Sequence, residues 1–277
     1  MSAEVVTRFA PSPTGRLHLG HAYSAILNER RARTAGGRFV LRIEDIDRGR
    51  CRPAFEDAIY EDLSWLGLSW DGPVLRQSER MAVYADRLDG LRARGLVYRC
   101  FRTRADVAGA MGAAHAAPTG GFRPGPMLKG EEAAMLADGV PYAWRLDLAR
   151  AQAAAGPVTY REEVPGGVRT VAADPSAHGD VVIARKDVGT SYHLASVTDD
   201  IASGVGHVIR GVDLAEAAPL HALLYALFGD APPTYAHHAL IEGPGGRRLA
   251  KRDDAATLAA MREAGVTSEE VRARLPL

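Results

Sequence analysis

Two histidines three residues apart, His18 and His21, flank Leu19 and Gly20 in the run Pro11-Ser12-Pro13-Thr14-Gly15-Arg16-Leu17-His18-Leu19-Gly20-His21. A short apolar segment ends at Pro11, and a helical pattern begins at the second histidine, so the run reads as a strand-to-helix turn. A helix N-terminus offers unpaired N–H groups and the positive end of the helix dipole, which together attract anions. Imidazoles at this spacing share a helix face. They would add donors beside a triphosphate, where charge builds on an attacked α-phosphorus. Gly20 has no side chain, which leaves room for a flat adenine base against the backbone. Taken alone, the pair is equally consistent with a loop histidine and a cap histidine.

Three further clusters carry charge at chemically useful places. Arg248-Leu249-Ala250-Lys251-Arg252 follows the glycine-rich stretch 243–246. Three cations there would clamp a polyphosphate leaving group, or form a solvated basic turn. Leu41-Arg42-Ile43-Glu44-Asp45-Ile46-Asp47 places three carboxylates at the C-terminal end of a strand. Open parallel sheets bind ligands at that end, and a carboxylate there would hold an amino group; a capping and turn cluster before Pro53 fits equally. In Val208-Ile209-Arg210-Gly211-Val212-Asp213, Arg210 ends a strand, a place suited to bidentate recognition of a carboxylate or to a surface salt bridge.

The elements that must position these groups alternate at first. Val5 to Phe9 and Phe39 to Ile43 read as strands. His21 to Thr34 reads as a helix stopped by Gly36-Gly37, Pro53 to Leu66 as a second helix, and Ser78 to Arg94 as a third with Ser78 as N-cap. This order predicts a parallel sheet with covering helices. Ala108 to Gly130, rich in Ala, Gly and Pro, reads as an irregular insertion. Tyr142 to Leu148, Val158 to Glu163 and Val168 to Ala173 read as short strands, the last two joined by Pro165-Gly166-Gly167. Strands are then expected over Val181 to Arg185, Ser191 to Val197, Val205 to Ile209 and Tyr235 to Ile241. Helices are expected over Asp213 to Phe228, with Asp213 as N-cap, over Asp253 to Ala264, and from Ser268.

Composition sets the class. The 277 residues hold 34 Lys plus Arg and 34 Asp plus Glu, for a formal net charge of zero. Binding to nucleic acid or anionic membrane by bulk charge is excluded, and an RNA partner needs a local basic patch. Hydrophobic residues are 47% and charged residues 25%, as in globular proteins. Two cysteines, Cys51 and Cys100, are too few for a disulfide scaffold and suit a reducing cytoplasm. The N-terminus lacks a signal-peptide apolar region, and no stretch approaches the roughly 18 apolar residues of a membrane helix.

The quoted runs have the order and spacing of one family. RFAPSPTGRLHLGH, LRIEDID, VIRGVDL and RLAKR resemble the catalytic half of the class I glutamyl-tRNA synthetases, over about residues 5 to 265. His18 to His21 resembles the family's HIGH signature and Arg248 to Arg252 its KMSKS signature. Only 25 residues follow Arg252, which resembles the truncated glutamyl-queuosine tRNA(Asp) synthetases; RIEDIDRGR, LSWDG, VLRQSER and GVDL look closer to that branch.

The resemblance implies an α/β fold: a Rossmann-like doubly wound parallel sheet, with an inserted smaller α+β subdomain. Residues 1–99 and 180–245 would be the halves of the catalytic domain, 100–179 an acceptor-binding-like insertion, and 246–277 the KMSKS-like loop with short helices and no anticodon-binding domain. It implies that L-glutamate is activated with ATP and Mg²⁺, without a need for RNA, and joined to queuosine of tRNA(Asp). Arg8, Phe9, Ala10, Pro11, Ser12, Glu44, Tyr192 and Arg210 would bind glutamate. His18, Gly20, His21, Arg248 and Lys251 would bind ATP, with His18, His21 and Lys251 catalytic. Ala250 and Arg248 depart from the KMSKS pattern, so an altered loop is expected. Cys100 matches one zinc ligand of many relatives, but Arg102 stands at the second place and His115 adds one donor at best, so zinc is not expected. Arg30, Arg31, Arg33, Arg247 and Arg248 are candidate RNA-backbone contacts, and a cytoplasmic monomer is expected. The rivals are a minimal glutamyl-tRNA synthetase, a small-molecule nucleotidyl transferase or ligase, and a non-enzymatic RNA-binding paralogue. The nucleotidyl transferase would not need LRIED or VIRG, and the paralogue would be expected to lack His18, Glu44 or Lys251.

Overall fold

The computed structural model describes residues 4–103, 106–107, 121–241 and 257–277. The chain opens with β1 (Val6–Phe9), α1 (Leu19–Thr34) and β2 (Arg38–Ile43), a parallel unit in which Val6 pairs with Arg38 and Phe9 with Leu41. Two glycines make the return from helix to strand. Gly36 adopts φ of 65° just past the helix. Gly37 lies so close to Val5 that an added Cβ would fall 1.9 Å from the Val5 carbonyl oxygen. That approach lets the Arg38 N–H donate to the same oxygen and begin the pairing.

α2 (Pro53–Trp65) leads to β3 (Leu75–Arg76), which adds to β2 in parallel. α3 (Met81–Ala93) follows a 3₁₀ turn over Gln77–Glu79. Ser78 is therefore not its N-cap. Its hydroxyl donates to Asp45 at 2.6 Å, and Arg80 precedes the helix without a side-chain cap.

β4 (Val97–Cys100), β5 (Ala143–Leu146) and β8 (Val182–Ala184) form an antiparallel sheet. Two helices that the sequence reading left out, α4 (Lys129–Ala137) and α5 (Leu148–Ala155), flank β5 in the chain. The expected strand to Leu148 stops short because Asp147 caps α5, accepting from the Arg150 N–H at 3.1 Å. The hairpin of β6 (Thr159–Val164) and β7 (Gly167–Ala172) leaves this small sheet and pairs with β10 (Thr234–His238), which pairs in parallel with β9 (His207–Gly211). The strands within 100–179 are thus divided between two sheets.

One expected strand is a helix. Ser191 to Val197 alternates, but Leu194, Val197 and Ile201 also recur at helical spacing, and the longer pattern wins: α6 runs Tyr192–Ala202 with Ser191 as N-cap. Asp213 does not cap a helix either. A 3₁₀ turn over Val212–Ala217 precedes α7 (Ala218–Leu227), and Asp213 lies against Gly211. The chain ends in α8 (Leu258–Glu263), capped by Thr257, and α9 (Ser268–Ala273), with a Thr267–Glu270 capping box. The start expected for the first of these, 253–256, lies outside the described residues.

Side-chain alternation along β1 and β2 assigns the two faces of the parallel sheet. Phe9, Phe39, Leu41 and Ile43 pack with Ile26 of α1 and Ile59 and Leu63 of α2. The alternate residues face the other way, where Val6 packs with Ala218 and Ala222 of α7 and with Val208 of β9. β9 lies beside β1, for the Gly206 N–H donates to the Val6 carbonyl at 3.1 Å. Helices cover both faces, as in a doubly wound sheet.

On the α6 face, alternation buries two arginines. Arg8 of β1 and Arg42 of β2 both donate to Oδ1 of Asp200 on α6, Arg8 at 3.3 Å and Arg42 at 2.5 Å. All three are almost fully buried. Asp200→Asn leaves two buried guanidinium groups short of one carboxylate. We expect it to destabilise the fold by about 3–5 kcal/mol, read as a lower urea midpoint; an unchanged midpoint contradicts the assignment.

Candidate active site

The C-terminal ends of β1 and β9, the turn after β1 and the start of α1 enclose a cleft of about 600 Å³. Arg8, Phe9, Ala10, Pro11, Ser12, His18, Gly20, His21, Glu44, Tyr192 and Arg210 all line it, so every expected site residue within the described part of the chain reaches one cavity. Arg248 and Lys251 lie outside the described residues. The residues that flank that stretch both abut the cleft: Ile241 lines it, and Thr257 forms a β-bridge with His18.

The two histidines hold each other at the helix start. His18 is the N-cap of α1, and its Nδ1 accepts from the Gly20 N–H at 3.1 Å. The His18 N–H in turn donates to Nδ1 of His21 at 3.2 Å, which closes a capping box built from imidazoles. Their ring centroids are 3.8 Å apart. Because both Nδ1 atoms accept, each neutral ring carries its proton on Nε2. A Cβ at Gly20 would come within 3.1 Å of Cε1 and 3.2 Å of Nδ1 of His18. The His18 ring thus lies where a side chain at Gly20 would point.

Arg42 joins the acidic cluster to the buried core. It donates to Glu44 Oε1 at 3.1 Å and to Ser196 Oγ at 3.2 Å. Burial pushes the Glu44 carboxyl above the ordinary range, while Arg42 and Arg8 pull it down. A cation arriving in the cleft favours its ionised form. The neighbouring carboxylates serve the scaffold: Asp45 accepts from Ser78, and Asp47 accepts from Arg50 at 2.9 Å and Arg185 at 3.4 Å.

Arg210 closes the opposite wall. It is 4% exposed, and among the described residues it has no carboxylate within ion-pair distance. Its Nη1 donates to the Tyr192 hydroxyl at 3.4 Å, and among the described residues its Nη2 has no hydrogen-bond partner. Burial raises the Tyr192 pKa, so the phenol keeps its proton. The surface salt bridge that was the plain alternative for Arg210 does not form among the described residues.

The sequence did not single out Ser24, Leu214, His238, Leu240 or Ile241, which also line the cleft. Ser24 was within reach, since it follows Gly20 by one helical turn. His238, Leu240 and Ile241 arrive from β10 and the segment after it, and Leu214 from the 3₁₀ turn that follows β9. Two of the arginines proposed for RNA have other partners: Arg31 donates to Glu163 at 2.5 Å and Arg33 to Asp71 at 2.6 Å.

A second cavity of about 890 Å³ shares Ser12, Glu44 and Tyr192 with the first. Arg50, Arg102, Arg145, Arg185 and Lys186 line it against Asp47 and Asp187, and Cys51 and Cys100 add thiols. Among the described residues no three His, Cys, Asp or Glu side chains are grouped to hold a metal, and no helix is long and apolar enough to cross a membrane.

Residues 4–275 match the family profile of the class I tRNA synthetase (E and Q) catalytic domain. The chain belongs to this family. It is similar to a glutamyl-Q tRNA(Asp) synthetase of Rhodobacter capsulatus, with 46% identity over 97% of this chain and 98% of that protein. It is also similar to one of Symbiobacterium thermophilum, with 42% identity over 95% and 83%. The crystal structure of a glutamate–tRNA synthetase from Elizabethkingia anophelis superposes with a TM-score of 0.74 at 30% identity, covering 91% of this chain and 53% of that one. The chain thus spans about half the length of that synthetase. As a class I synthetase catalytic domain it is a ligase, and its family uses ATP.

Gly20→Ala separates the site from the scaffold. Alanine favours the helix by up to about 1 kcal/mol, yet its methyl group presses on the His18 ring. We expect an unchanged or higher melting temperature with ATP–pyrophosphate exchange slowed at least about tenfold, a barrier increase near 1.4 kcal/mol. Full activity would show that the His18 orientation is immaterial.

Proposed function

We propose that this chain activates L-glutamate with ATP and transfers it to queuosine in tRNA(Asp). One observation carries the reading. The buried Arg210 lines the same cleft that holds the α1 N-terminus and its histidine pair, and among the described residues its Nη2 has no hydrogen-bond partner. Such a site suits an amino acid with a second carboxylate beside a nucleotide polyphosphate.

In this reading Arg210 and the Tyr192 hydroxyl take the γ-carboxylate of glutamate, and Glu44 takes its ammonium group. Arg8, Phe9, Ala10, Pro11 and Ser12 form the floor. The Nε2–H groups of His18 and His21 and the helix dipole meet the phosphates, with the base and ribose over Gly20 and the apolar wall of Leu214, Leu240 and Ile241. A glutamate α-carboxylate oxygen attacks the α-phosphorus, the bond to the bridging oxygen breaks, and pyrophosphate leaves. The histidine donors stabilise the charge that develops there, and position supplies the rest. Arg248 and Lys251 would act on the departing pyrophosphate. Mg²⁺ would enter with ATP and supply charge neutralisation on its phosphates. The chemistry needs no resident zinc.

In the second step a queuosine hydroxyl attacks the acyl carbon of glutamyl-adenylate, and AMP leaves. The second cavity suits the acceptor, because it adjoins the first across Ser12, Glu44 and Tyr192 and its excess of basic side chains suits an RNA backbone. The chain's net charge is zero, so this local patch is where RNA would be attracted. The chain is incubated with ATP, radiolabelled glutamate and either purified tRNA(Asp), with or without queuosine, or purified tRNA(Glu). We expect label on the modified tRNA alone. Label on tRNA(Glu), or equal label on both forms of tRNA(Asp), overturns the acceptor.

A further inference from the structure

Arg210 differs from the other buried arginines of the site. Arg8 and Arg42 share Asp200, and Arg42 also holds Glu44, so their charges are met inside the protein. The side-chain acceptors around Arg210 are neutral. Its Nε donates to His237 Nε2 at 3.4 Å, its Nη1 lies 3.5 Å from His221 Nδ1 and 3.4 Å from the Tyr192 oxygen, and the Tyr235 ring lies 5.2 Å away. The nearest carboxylate in this chain of contacts is one residue further out. Glu162 accepts from His237 Nδ1 at 3.3 Å and is itself bound by Arg169 at 2.6 Å.

Because a guanidinium only donates, its contacts assign the tautomers of the rings beside it. His237 accepts at Nε2, so its proton sits on Nδ1 and points at Glu162. His221 accepts at Nδ1, so its Nε2–H donates to His193 Nδ1, 3.1 Å away. Burial and the guanidinium lower the pKa of His237 and push that of His221 well down, while His193 falls to about 4, so the rings are neutral near pH 7.

We propose that His237 and His221 are positioning residues that orient the Arg210 guanidinium with no carboxylate in hydrogen-bond contact, so that its charge is kept largely for the substrate carboxylate. Glu162 sets the tautomer of His237, and Arg169 absorbs the charge of Glu162. A carboxylate in place of His237 would hold Arg210 equally well and cancel its attraction for glutamate. The uncharged amide of glutamine would then be rejected less strongly.

The inference rests on the glutamate-site reading above, and one set of variants separates the two. His237→Gln and His237→Glu are nearly the same shape and both can accept from Arg210. In glutamate-dependent ATP–pyrophosphate exchange we expect His237→Gln to keep KM for glutamate within about threefold, and His237→Glu to raise it at least about thirtyfold with kcat little changed. The preference for glutamate over glutamine falls only in His237→Glu. Equal KM in the two variants overturns the proposal and assigns His237 to packing. Arg210→Ala is the control: if it leaves KM unchanged, the glutamate-site reading itself fails. Should His237→Glu not fold, as judged by its thermal melt, Glu162→Gln carries the test. It raises KM in the native background and has no further effect in His237→Gln, which has no tautomer to set. Independent effects of the two substitutions contradict the proposal.

Discussion

A carboxylate fully inside the protein, Asp200, ties the two distant parts of the chain that make the cleft. It receives Arg8 from β1 and Arg42 from β2, nearly two hundred and about one hundred and sixty residues earlier. Two buried guanidinium groups without it would face a large desolvation cost, so the arrangement is stable only when α6 docks on the parallel sheet in one register. That docking also fixes Glu44 through Arg42, Tyr192 at the start of α6, and the edge of β9 that Arg8 reaches at the Ile209 carbonyl. Burial on this face therefore builds the amino-acid end of the site.

The phosphate end depends on local physics instead. The imidazole capping box sets α1 just after β1, with its N-terminus facing the place where β1 and β9 lie side by side. Sheets of this kind open their ligand crevice at such a point. The last described segment returns to the same turn, where Leu258 donates to the Leu17 carbonyl at 2.9 Å. Ile241 lines the cleft and Thr257 bridges to His18, so the described residues on either side of the stretch that holds Arg248 and Lys251 lie near the histidine turn.

Much of this was legible where information is local. The strand ending at Pro11, the turn through His18 and the arginine after Val208-Ile209 show themselves by type and spacing, and the family likeness joined them into one cleft. The misread parts have physical reasons. Ser191 to Val197 fits periods of 2 and of 3.6 over so few residues, and its fate was decided by Ser191 capping and by burial of Asp199 and Asp200, which no periodicity reports. Ser78 carried a cap signal, but Asp45 from a distant turn claimed its hydroxyl. His193, His221 and His237 lie on three elements and meet only through tertiary packing, so nothing in their local sequence marks them as a group.

The central claim is that one cleft brings an acidic amino acid to the α-phosphate of ATP. Exchange of radiolabelled pyrophosphate into ATP by the purified chain, with L-glutamate, L-glutamine and L-aspartate supplied in turn, tests it most directly. The account predicts glutamate-dependent exchange without RNA, with kcat/KM for the other two lower by about a hundredfold or more. Failure of glutamate to support exchange even when tRNA(Asp) is added, or equal exchange with glutamine, would contradict it.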